Sequence, residues 1–120
     1  MFQTSILNFR NLDLSAANTV ALANILKEGD EALTSISFSY NHSLGDEGAI
    51  ALANNLPESI TEIGLVDCGI GELGGAALLN WVKKSPKLRM VCFEQNKFST
   101  QLKMAYRKIG TERPHFLVVV

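Results

Sequence analysis

Three stretches of the chain superpose so that every apolar position agrees: Leu33, Ile36, Phe38 and Asn41; Ile60, Ile63, Leu65 and Cys68; Leu88, Val91, Phe93 and Asn96. The first residues of these stretches lie 27 and 28 residues apart, within the range of about 20–29 residues seen in strand-plus-helix repeats. This repetition constrains the fold more than any other feature. A unit of that length is one strand and one helix, which cannot cover its own apolar face and must stack on its neighbours. Alternation within each stretch sends Ile36 and Phe38 to one face of a strand and Ser35, Ser37 and Ser39 to the other.

A second agreement follows each strand. Gly48, Ala49, Leu52, Ala53 and Leu56 place small and apolar groups at helical spacing, and Gly74, Leu78 and Val82 match them. Asn18, Leu22 and Leu26 give the same helical half a third time. We expect Gly48 and Gly74 where a helix begins close against the strand layer, and Asn41, Cys68 and Asn96 where turn backbone groups need partners. The first unit departs by carrying Leu12 in place of the turn Asn. A fourth helix, roughly 100–109, is marked by Tyr106 and basic residues and reads as the start of a C-terminal cap. Beyond Gly110 and Pro114, Phe116 and Val119 fall 28 residues after Leu88 and Val91, which predicts a closing strand. The chain thus divides as one domain, 1–120, with repeats at about 4–32, 33–59, 60–87 and 88–114 and a closing strand at 115–120. Met1 and that closing strand lead us to expect a complete small protein.

The LxxLxLxxN/C spacing followed by a helix resembles the ribonuclease-inhibitor-like subfamily of leucine-rich repeats, over about 4–120. The resemblance implies an α/β solenoid of four to five repeats, with parallel strands on a concave face and helices on a convex one. It also implies partner binding, the common theme of such scaffolds, although the fold does not choose the partner. Small size and resemblance together point to a bacterial effector or its dedicated regulator; an effector would be delivered into a host cell.

Projecting the strands side by side gives columns across the concave face: Ile6, Ser35, Glu62, Met90, Val118; Asn8, Ser37, Gly64, Cys92, Val120; Arg10, Ser39, Val66, Glu94. A fourth column, Asn11, Tyr40, Asp67 and Gln95, mixes an aromatic ring with hydrogen-bonding groups, as binding surfaces often do. The candidate partner-binding set is Arg10, Asn11, Ser37, Ser39, Tyr40, Glu62, Val66, Asp67, Met90, Cys92, Glu94 and Gln95, with Trp81 as a separate candidate on a helix. The plainer alternative is that Met90, Cys92 and the valines cover a sheet edge and Trp81 serves packing.

The expected function is to bind another protein, such as an enzyme, and inhibit it by covering its active site. One alternative is GTPase activation or other regulation of a partner's site, with Asn41 and Arg10 the only candidates on the turns. A second is nucleic-acid binding. Ten of the twelve acidic residues lie between Asp13 and Glu72, and nine of the eleven basic residues between Lys83 and Arg113. Such a basic segment attracts phosphate backbones, but the acidic first half opposes it.

An enzyme needs a nucleophile, a base and a stabiliser held together. His42 sits beside Asp46 and Glu47, His115 lies far along the chain, and neither stands by Cys92. No GxxxxGK[ST] loop, HExxH or CxxC occurs, so we expect no enzyme, no cofactor and no metal. Two cysteines without metal-ligand spacing read as reduced thiols in an intracellular compartment. No apolar run approaches a membrane span, and the chain reads as soluble.

Overall fold

Alternation of period-two and period-3.6 patterns produces alternating strands and helices, and the computed structural model describes residues 5–28 and 32–120. The repeat boundary expected at residue 4 and the acidic pair Asp30 and Glu31 lie outside these residues. Five strands, β1 (Ile6–Asn8), β2 (Ser35–Ser37), β3 (Glu62–Gly64), β4 (Met90–Cys92) and β5 (Leu117–Val119), alternate with four helices. The helices are α1 (Ala16–Leu26), α2 (Gly45–Asn55), α3 (Glu72–Lys83) and α4 (Thr100–Glu112). The sheet is parallel throughout, and its strands lie in chain order.

Register follows the repeat. Ile36 pairs with Ile63 and Ile63 with Val91, and all three are buried on the side the helices cover. Phe38, Leu65 and Phe93 form a second buried row, and Leu33, Ile60 and Leu88 a third. Each such side chain contributes about 1.5–3 kcal/mol by leaving water. Leu52 and Leu78 are fully buried, whereas the equivalent Leu22 is only half-buried because no helix precedes α1 among the described residues.

The closing strand corrects one expectation. Val118, not Val119, pairs with Val91, so Leu117 and Val119 stand on the open face where Val118 and Val120 were expected. Phe116 still fills the core position that Leu88 holds, but only one residue separates it from the buried-row residue, where the other units have two. A one-residue change reverses which side chains face which side. Helix α4 also runs through Gly110, whose missing side chain leaves room for Val118; a Cβ there would lie 3.1 Å from Val118 Cγ2.

Gly48 and Gly74 do their work between helices rather than against the strands alone. A Cβ on Gly48 would meet Leu44 at 2.8 Å and Thr19 of α1 at 3.3 Å; on Gly74 it would meet Asp46 Oδ1 and Ile70 at 2.8 Å and Ala49 of α2 at 2.9 Å. Successive helices are also joined by charge. Asp46, in the first turn of α2, accepts from the N–H groups of Gly71 and Gly74 at the start of α3 (2.7 and 3.0 Å). Glu72, in the first turn of α3, accepts from Ser99 N–H and from the Ser99 hydroxyl (2.9 Å) at the cap of α4. Each acid satisfies orphan donors at the positive end of the next helix. We therefore expect Asp46→Ala to lower unfolding free energy by about 1–2 kcal/mol, measured by urea denaturation, with Glu47→Ala, which makes no such bond, near neutral.

Arg113 performs the matching task at the other helix end. It donates to the carbonyls of Val82 (2.8 Å) and Lys83 (3.0 Å) in the last turn of α3 and of Ser85 (3.2 Å) just beyond it, and its guanidinium lies 5.4 Å from the centre of the Phe116 ring.

Candidate functional site

Period-two alternation leaves one face of the sheet without helices, and the side chains of four units meet there at equal rank. Ile6, Ser35, Glu62 and Met90 form one row and Asn8, Ser37, Gly64 and Cys92 the next, in the pairing of the backbone. Backbone bonds continue the rows past the strands: Asn11 N–H donates to Ser39 O (2.9 Å), Tyr40 N–H to Val66 O (2.7 Å) and Asp67 N–H to Glu94 O (3.0 Å). Among the candidates, Arg10, Ser37, Tyr40, Glu62, Val66, Met90 and Cys92 line a single depression of about 270 Å³. Gly64 is its floor. A side chain there would crowd the hydroxyls of Ser37 and Ser39, each 3.0 Å from an added Cβ.

Ser39 also lines the hollow but corrects the expectation of an available hydroxyl. It is 4% exposed, and its Oγ accepts from Val66 N–H (3.0 Å), so that hydroxyl serves the sheet. Glu94 is half-buried. Its Oε1 is buried without a hydrogen-bond partner among the described residues.

The fourth column has a feature the sequence conceals. Asn11, Tyr40, Asp67 and Gln95 all adopt left-handed backbone, with φ of 54°, 66°, 53° and 63°. Asn and Asp tolerate this region; Tyr and Gln do so at a cost. The repeated turn aims Tyr40 beside Arg10, whose guanidinium lies 5.3 Å from the ring centre, within reach of a cation–π contact. With Asn8, Asn11, His42 and Asp67 these two residues line a second, open hollow of about 640 Å³. His42 Nδ1 lies 3.2 Å from Asp67 Oδ1. His42 lies near Asp46 and Glu47 in sequence, yet Asp46 turns to α3 and the imidazole meets a carboxylate of the next unit.

No family model matches this chain. No curated protein matches it either.

Trp81 is half-buried on α3 against the core, away from both hollows, and Gln95 is exposed at the end of its row. Asn41, weighed as a turn residue for GTPase activation, is fully buried and bonded on all sides to backbone. Burial raises the Cys68 thiol to about 11, and burial with Glu94 and Glu62 nearby raises that of Cys92. Both sulfurs are therefore thiols at neutral pH, which is unfavourable for nucleophilic work. Among the described residues no three His, Cys, Asp or Glu side chains gather to hold a metal. No helix among them is long and apolar enough to cross a membrane.

Proposed function

We propose that this chain is a protein-binding module of the leucine-rich-repeat type, a short solenoid that grips one partner protein through the helix-free sheet face and the adjoining turn edge. The observation that carries the reading is that side chains from four successive units line one continuous surface, with Arg10 and Tyr40 belonging to both of its hollows. The chemistry suits protein recognition: an aromatic ring and a guanidinium at one end, Val66, Met90 and Cys92 as an apolar middle, and carboxylates of Glu62 and Asp67 around them. A stable interface buries about 800 Å² on each partner. So short an arc reaches that only if the partner projects across both hollows, and covering an enzyme's active site is the mode of action we favour.

The test compares wild type with Arg10→Glu combined with Tyr40→Asn, asparagine being chosen because it accepts left-handed backbone. Proteins retained by each from the native host are identified by mass spectrometry, with circular dichroism to check folding. A partner held by the wild type, and reduced more than tenfold in the variant, supports the reading and names the function. Equal retention by both overturns the assignment of this face.

A further inference from the structure

We propose that the N-terminal end of the sheet-and-helix stack is a self-association surface, on which α1 packs against α1 of a second copy about a two-fold axis. This surface is separate from the helix-free face described above. The inference starts from positional equivalence. Gly48 of α2 abuts Thr19 of α1, and Gly74 of α3 abuts Ala49 of α2, so this rank on each helix faces the helix before it. The same rank on α1 is Asn18, and Leu22 and Ile25 continue its side of the helix.

That side has no helix against it among the described residues. Leu22 is half-buried where Leu52 and Leu78 are fully buried, and Ile25 is 67% exposed where its equivalent Trp81 is half-buried. Leu7, Phe9 and Leu14 are likewise only partly covered. An outward apolar face of this kind at the end of a stack marks an interaction site.

The charge pattern favours a second copy as the occupant. From Leu14 to Leu26 the chain carries no charged residue, while each of the other helices carries at least two. An uncharged face can meet a copy of itself without repulsion, as an isologous two-fold contact requires. Head-to-tail stacking is disfavoured. The last helix presents Lys103, Arg107 and Lys108, and setting these against α1 would desolvate cations that find no partner there.

Sedimentation equilibrium over a concentration series tests the proposal, using wild type, Ile25→Lys, Ala21→Glu and Lys108→Glu. Both α1 positions are exposed, and far-UV circular dichroism confirms folding of each variant. The expected result is a wild type and a Lys108→Glu variant that rise to twice the chain mass, with Ile25→Lys and Ala21→Glu remaining at the chain mass. A wild type that stays at the chain mass throughout overturns the proposal. So do α1 variants that associate as well as wild type, or a Lys108→Glu variant that loses association.

Discussion

Replacing Asn41 by alanine is expected to lower the unfolding free energy by about 3–4 kcal/mol, a large share of the roughly 5–15 kcal/mol that holds a domain of this size folded. The Asn41 side chain has no exposure. Its Oδ1 accepts from the N–H groups of Leu12 (3.1 Å) and Leu14 (2.9 Å), and its Nδ2 donates to the carbonyls of Phe9 (2.9 Å) and Phe38 (2.7 Å). Three of these four groups belong to the preceding unit, so the amide ties two units together at a turn that regular ladder bonds do not reach. Asn96 repeats the arrangement one pair of units on, accepting from Cys68 and Ile70 and donating to Leu65 and Phe93. Its alanine variant should be destabilised to a similar degree. Cys68 holds the intervening position with a bond from Sγ to Phe38 O (3.2 Å), and because a thiol is a weak donor, Cys68→Ala should cost only about 1–2 kcal/mol. Urea unfolding followed by circular dichroism checks the series. A loss below about 1 kcal/mol for Asn41→Ala would show that the amide does not couple the units.

These asparagines were legible in the sequence because they recur at a fixed rank after an apolar strand, and so were the buried rows and the open-face columns of the first four strands. What escaped the reading is what depends on neighbours rather than on period. Asp46 and Glu72 look like ordinary first-turn acids of their own helices; only the stack shows that they cap the next one. Ser39 alternates correctly onto the open face, yet a hydrogen bond to Val66 removes it from the available surface. Nothing in a tyrosine or a glutamine announces left-handed backbone, although Asn11 and Asp67 at the same rank are residues that adopt it readily. The β5 register departs from the repeat by one residue because the step from Phe116 to Val118 is one residue shorter than that from Leu88 to Val91.

The basic C-terminal unit also hides a structural anchor, and its removal is the second large effect expected. Tyr106 is fully buried, stacks on Phe98 with ring centres 5.6 Å apart, meets Phe93 edge-on at 5.6 Å, and donates its hydroxyl to Gly75 O (2.6 Å) on α3. Tyr106→Ala should cost about 3–5 kcal/mol, the combined loss of transfer energy and the cavity left behind. Tyr106→Phe keeps the rings and should cost about 1 kcal/mol. The pocket is shaped from the other side as well, since a Cβ on Gly75 would lie 2.6 Å from Leu102 Cδ2 and 2.7 Å from Phe98 Cε1. Gly75→Ala therefore sets a helix-propensity gain of about 1 kcal/mol against overpacking of about 1–3 kcal/mol, and we expect a net loss. Alkaline pH separates the hydroxyl from the ring. Burial raises the Tyr106 phenol above its usual range, so the folded state holds that proton more tightly than the unfolded chain does. The resulting stability is complete below the ordinary tyrosine value of about 10 and is lost as pH climbs beyond it. Wild type should therefore lose stability between about pH 10 and 11 more steeply than Tyr106→Phe. Equal slopes for the two would mean that the phenol is not held in the dry contact between α3 and α4 that joins the last helix to the sheet.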